Sequence, residues 1–177
     1  MPKILVVDDD VFVGLLISLE LPDVVVVEAA RISEGFQQAV VSQPDAIVVD
    51  RGLPDGDGLE LVRSLRRNRA TSRTPILVLT AGHDEAHREQ VTKAGADDYM
   101  AKPFDPVDLL GRLERVLRLP PADRKPRRAA ILNRVRDGLP ADYDLGQAPA
   151  VIDLTEDDDD ARVGGGFLGR WRSRRGG

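Results

Sequence analysis

Cysteine is absent from this 177-residue chain. That excludes a disulfide framework, a thiolate zinc site and a cysteine nucleophile together, and it is compatible with a reducing compartment. Aromatic residues make up 4% of the sequence, so any core has to be aliphatic. No run of about 18 apolar residues occurs, and no transmembrane helix is expected. The opening Met1-Pro-Lys-Ile-Leu-Val-Val-Asp8 turns acidic too early for a secretory signal. A cytoplasmic location is the expectation.

The hydrophobic fraction, 42%, can fill one core of ordinary size. Net charge is −5 and unevenly spread. Residues 1–119 carry 14 Lys/Arg against 20 Asp/Glu, and residues 120–177 carry 11 against 10. In the second stretch the charges are sorted into a basic run (Arg124, Lys125, Arg127, Arg128), an acidic run (Glu156 to Asp160) and a closing basic run (Arg170 to Arg175). The chain therefore divides into a domain over 1–119 and a polyampholytic tail over 120–177. Pro120-Pro121 and Gly164-Gly165-Gly166 punctuate that tail. It is predicted to be mostly disordered, with one short helix near 129–135.

Within 1–119, apolar runs at Ile4–Val7, Val24–Val27, Ala46–Val49, Ile76–Leu79 and Asp98–Ala101 lack polar alternation. They suit parallel strands buried on both faces. Helical patterns separate them: Val11–Leu21, Ser33–Ser42 with Ser33 as its expected cap, Asp57–Arg67, Asp84–Lys93 closed by Gly95, and Asp105–Leu117 with Asp105 as cap. Five strands alternating with five helices predict an α/β, doubly wound (βα)5 sandwich around a parallel five-stranded sheet. In such sheets functional groups gather at the carboxyl ends of the strands. Those ends carry Asp8-Asp9-Asp10, Asp50, Thr80 and Lys102. Converging carboxylates need a cation among them. Oxygen ligands without His or Cys favour a hard ion, with Mg²⁺ the usual choice beside phosphate. A lysine and a hydroxyl supply what a phosphoryl group needs, and an in-line Asp can be its nucleophile.

Four segments, in order, carry a resemblance: Lys3-Ile-Leu-Val-Val-Asp-Asp9, Asp50-Arg-Gly-Leu-Pro-Asp-Gly-Asp-Gly58, Pro75-Ile-Leu-Val-Leu-Thr-Ala81 and Gly95-Ala-Asp-Asp-Tyr-Met-Ala-Lys-Pro-Phe104. Residues 1–119 resemble a receiver domain of bacterial two-component response regulators. The resemblance implies a flavodoxin-like sheet of order 2-1-3-4-5 and a role for each matching position. Asp50 would accept a phosphoryl group from a sensor histidine kinase or phosphotransfer protein. Asp9 and Asp50 would ligate Mg²⁺ with the Gly52 carbonyl, and Asp8 would act through water. Lys102 would neutralise the phosphoryl oxygens. Thr80 and Tyr99 would form the switch that alters a surface for a downstream effector or a second copy. The chain would then be no enzyme beyond its own phosphorylation and dephosphorylation. Lys102-Pro103 would be a cis bond.

Other readings compete. A degenerate receiver would keep the fold and act as a phosphorylation-independent interaction module. A haloacid dehalogenase-type phosphatase also uses a strand-end Asp, but Phe12 stands where its first motif needs Thr or Val, and Asp97-Asp98 precede Lys102 rather than follow it. Sequence-specific DNA binding is not expected, since 120–177 offers too few helices for a winged-helix output. Asp10 reads as a cap or surface acid, Asp55 and Asp57 as turn chemistry, and Asp97-Asp98 as loop acids. His83 and His87 read as surface residues. In the tail, Val151-Ile-Asp-Leu-Thr155 could add a strand to a partner, and Trp171 among arginines could stack on nucleic acid. A solubilising tail is the plainer account of both.

Overall fold

The structure, a computed structural model, describes residues 1–82 and 84–118. Strand β1 (Lys3–Val7) leads into helix α1 (Phe12–Glu20), then β2 (Val25–Ala29), α2 (Ile32–Ser42) and β3 (Ala46–Asp50). Helix α3 (Gly58–Arg67), β4 (Ile76–Thr80), α4 (Glu85–Ala94), β5 (Asp98–Ala101) and α5 (Pro106–Arg118) complete the order. Between β3 and α3, the two-residue segments Gly52–Leu53 and Gly56–Asp57 pair antiparallel. The five strands form one parallel sheet, as their apolar runs lead one to expect, in the order β2-β1-β3-β4-β5 that the resemblance implies.

Strand periodicity of two divides the aliphatic residues between the sheet's faces. Leu5, Val7, Ile47, Val49, Ile76 and Val78 join α2, α3 and α4 side chains in one cluster. Ile4, Val6, Val48, Leu77 and Leu79 join Val13 and Ile17 of α1 and Leu109 and Leu113 of α5 in the other. Strands β3 and β4 are buried along their whole length. Each fully buried Leu or Ile contributes about 1.5–3 kcal/mol relative to exposure. An aliphatic core thus forms without help from aromatics. Helix α1 is apolar but for Ser18 and Glu20. Its inner residues enter the second cluster while Phe12, Leu15 and Leu19 stay exposed.

Boundaries differ from expectation at β2. The strand runs Val25–Ala29 rather than Val24–Val27, because Val24 donates its N–H back to Leu21 in a turn and Val25 is the residue that registers with Lys3. As an edge strand, β2 tolerates Glu28, whose charge hides the continuation from an apolar pattern. The expected cap Ser33 is also replaced. Arg31 is the residue preceding α2, and the Asp55 carboxylate, 23 positions on, accepts from the Ile32 N–H at 2.9 Å and the Ser33 N–H at 3.5 Å.

Three other helix starts carry an aspartate cap, among which Asp105 is expected as such from the sequence. Asp57 accepts from the Leu59 N–H, Asp84 from His87 and Asp105 from Val107. Gly95 closes α4 at φ +104°, a left-handed value that favours glycine. Asp97 is not a loop acid of the surface kind. It is 1% exposed, pairs with Arg66 at 2.7 Å and accepts from the Ile76 N–H. Arg66 also donates to the Gly95 and Thr74 carbonyls, each at 2.7 Å, which knots α3 to the starts of β4 and β5. Asp98 begins β5, is 2% exposed and pairs with Arg112 of α5 at 3.2 Å. The expected tail features (the 129–135 helix, the 151–160 segment and Trp171) lie outside the described residues.

Candidate functional site

Parallel strands end together, so the residues that follow β1, β3, β4 and β5 share one edge of the sheet. Asp8 leaves β1 with its backbone N–H donated to the Ala29 carbonyl at 3.0 Å. Its Oδ1 accepts from the Asp10 N–H at 3.0 Å, and its Oδ2 accepts from the Lys102 ammonium at 3.1 Å. Lys102 also lies 3.2 Å from Oδ2 of Asp50, so one cation joins the two buried acids. Asp50 is the last residue of β3. Its carbonyl sits where α3 begins: a Cβ on Gly58 would meet that oxygen at 2.1 Å, which demands glycine there.

Asp8, Asp9 and Asp50 each offer a carboxylate oxygen, and these oxygens lie within 4.8 Å of one another, with Asp9 exposed. The donor set is oxygen-only and fits a hard divalent cation such as Mg²⁺. Burial dominates at Asp8 and raises its pKa above the ordinary carboxylate value, against the lowering by the Asp10 N–H and Lys102. At Lys102 burial acts downward. The hydrogen bond to Asp8 and the charges of Asp50 and Asp8 outweigh it, and the lysine pKa is raised. The ammonium is thereby held protonated as a fixed positive charge between the acids.

Thr80 ends β4 and is 1% exposed. Its Oγ accepts from the Gly82 N–H at 3.2 Å, and its carbonyl accepts from the Lys102 N–H at 2.7 Å. The Lys102-Pro103 bond is cis. Tyr99, one strand over, is half-buried against the α2–α4 core cluster, with the Arg88 guanidinium 5.7 Å from its ring centre.

Residues assigned to structure behave as such in most places. Asp10 accepts from the Phe12 N–H at the start of α1, and Asp55 and Asp57 serve as caps. His87 pairs with Asp84 at 2.6 Å, while His83 lies outside the described residues. One residue passed over in the sequence is Arg51, directly after Asp50. Its guanidinium lies 3.4 Å from Asp57 and donates to Gln90 of α4 at 2.6 Å. The available signal was a basic residue directly after the acid that closes the apolar run Ala46–Val49.

Among the described residues, no helix is long and apolar enough to cross a membrane. Residues 4–114 match the family model of the response regulator receiver domain. The chain is 39% identical over 120 residues to the KDP operon transcriptional regulatory protein KdpE of Escherichia coli, covering 67% of this chain and 52% of that protein. It thus spans about half the length of the curated relatives it matches. Similar solved structures include the chemotaxis response regulator CheY4 of Vibrio cholerae, with 33% identity, a TM-score of 0.61 and coverage of 66% of this chain and 98% of that one. Another is the receiver domain of sensor histidine kinase PA1611 of Pseudomonas aeruginosa, which carries a magnesium ion in its active site cleft. That match has 32% identity and a TM-score of 0.58, with 66% and 97% of the two chains covered. The names of the relatives, transcriptional regulators, run against the expectation of no sequence-specific DNA binding, which rested on residues 120–177. The family match over residues 4–114, the sheet order and the acids at the strand ends lead to one conclusion: this chain belongs to the response regulator receiver family.

Proposed function

We propose that this protein is a phosphorylation switch in which Asp50 accepts a phosphoryl group from a sensor histidine kinase or a phosphotransfer protein. The observation that carries this reading is the Asp50 carboxylate at a strand end, 3.2 Å from the Lys102 ammonium and grouped with Asp8 and Asp9. Asp8, Asp9 and Asp50, together with the Gly52 carbonyl, would hold Mg²⁺. When bound, the ion supplies charge neutralisation for the phosphoryl oxygens and the in-line approach.

In the transfer, an Asp50 carboxylate oxygen attacks phosphorus. The new O–P bond forms as the P–N bond of a phosphohistidine breaks, and the departing imidazole takes up a proton. Lys102 stays charged throughout and pairs with the phosphoryl oxygens. Thr80 turns its hydroxyl from the Gly82 N–H toward one of them, and Tyr99 follows inward, reshaping the face of α4, β5 and α5. A downstream effector or a second copy of the chain reads that face. The relatives' names make transcriptional control the proposed setting, and a cytoplasmic location accords with it. No other substrate is turned over: the chain catalyses only its own phosphorylation and dephosphorylation.

Intact-mass measurement of the full chain with acetyl phosphate and Mg²⁺ tests the reading. One phosphoryl group should be gained by the wild type and none by Asp50→Asn. Stoichiometric uptake by Asp50→Asn would reject Asp50 as the acceptor. Chelation of the metal should abolish uptake.

A further inference from the structure

Helix α4 commits few apolar side chains to the sheet's first core cluster. Val91 (1% exposed) and Ala94 (4%) are the hydrophobic side chains it buries, whereas α3 buries Leu59, Leu61, Val62 and Leu65 completely. Polar contacts therefore carry more of its placement. One is Arg88 over the Tyr99 ring; another is Gln90, whose Oε1 accepts from Nη2 of Arg51 at 2.6 Å. Arg51 is well anchored at its other end. Its backbone N–H donates to the Leu79 carbonyl at 2.9 Å, its carbonyl accepts from the Gly58 N–H at 2.8 Å, and Nε lies 3.4 Å from Asp57. The side chain is 22% exposed, and Nη1 is buried without a hydrogen bond, so half of the guanidinium fork is unused.

We propose that Arg51 is a positioning residue that tethers α4 to the residue next to the phosphoacceptor, and that this tether holds the switching face in its unphosphorylated arrangement. The inference rests on the phosphorylation reading above and names a restraint within that switch. A contact present in one arrangement only lowers the apparent affinity of any ligand that selects the other. The half-used fork fits such a role. Arg51 holds α4 through a single neutral acceptor rather than a bidentate ion pair, a bond weak enough to release. The tether acts in addition to Thr80 and Tyr99 and reaches α4 from the opposite side of the site, through β3 rather than β5.

The test uses the full chain, with beryllofluoride and saturating Mg²⁺ as the phosphoryl probe. Gln90 is exposed, so substituting it leaves the core intact. Gln90→Glu turns the neutral acceptor into a carboxylate, tightens the tether and should weaken beryllofluoride binding. Gln90→Ala releases it and should strengthen binding. Each change should be about twofold to fivefold, the range of a partly exposed polar contact. In an Arg51→Met background the two Gln90 variants should bind alike. Shifts in the same direction, or a difference that survives Arg51→Met, would overturn the proposal. Amide exchange of residues 85–94 without the probe separates this failure from failure of the phosphorylation reading. Slower exchange in Gln90→Glu than in Gln90→Ala is expected whatever Asp50 does. Equal exchange shows that no tether exists.

Discussion

Lys102 is the residue on which the site's charge balance turns. Among the described residues it is the one cation paired with both Asp8 and Asp50, and its side chain is 32% exposed. Replacing it with Met leaves the acids with undiminished negative charge, which favours a divalent ion and disfavours an incoming phosphoryl group. Lys102→Met should bind Mg²⁺ at least as tightly as wild type while the initial rate of phosphoryl uptake falls about a hundredfold, as when one donor to developing charge is lost. Titration calorimetry and acetyl phosphate kinetics read the two effects separately. Thr80→Ala should take up the phosphoryl group yet show a diminished change in amide exchange over 84–118. An undiminished change would remove the hydroxyl from the switch.

Asp55 gives a pH prediction. Its pKa is lowered from the usual 3.8, first by the Ile32 N–H and further by Ser33. A carboxylate with a depressed folded-state pKa contributes stability above its unfolded value and loses it as pH falls through the folded one. The stability gap between wild type and Asp55→Ala should therefore be constant above about pH 5 and narrow below 3.8, as read by urea titration across pH.

At the scale of elements, the sheet and its helices were legible because β1, β3 and β4 are buried on both faces and so read as unbroken aliphatic runs. The strand-end acids were legible because parallel strands deliver their carboxyl ends to one edge. What stayed hidden were long-range polar contacts. Ser33 sits one residue inside α2, where local capping rules favour it, but Asp55 supplies the cap from a distant loop. Likewise, nothing local marks Asp97 and Asp98 as buried, since their partners Arg66 and Arg112 lie 31 and 14 positions away. The Arg66–Asp97 pair makes its own prediction. Asp97→Ala strands a guanidinium that is largely buried and leaves the Ile76 N–H without its acceptor, a loss of about 3–5 kcal/mol. A large drop in thermal midpoint is expected, with phosphoryl uptake at low temperature retained. A drop within about 1 kcal/mol of wild type would show that the knot is dispensable.

On the whole-molecule scale, every candidate site residue lies before position 105, and both core clusters close within residues 4–117. A 1–119 truncation should therefore fold and take up one phosphoryl group at the wild-type rate. A partner captured from the native host by the full chain and lost on truncation would place the effector contact in residues 120–177. The Arg66 knot has a practical side for anyone who wants a reporter inside the folded part. The surface stretch 68–74 looks like an inviting loop, yet Arg66 claims the carbonyls of Ser72 and Thr74, and Asn68 takes N–H donors from Thr71 and Ser72. A fluorescent insert there would unpick all of these. The turn at Pro22–Asp23, exposed at both residues and closed by the Val24 to Leu21 hydrogen bond, is the place to graft one.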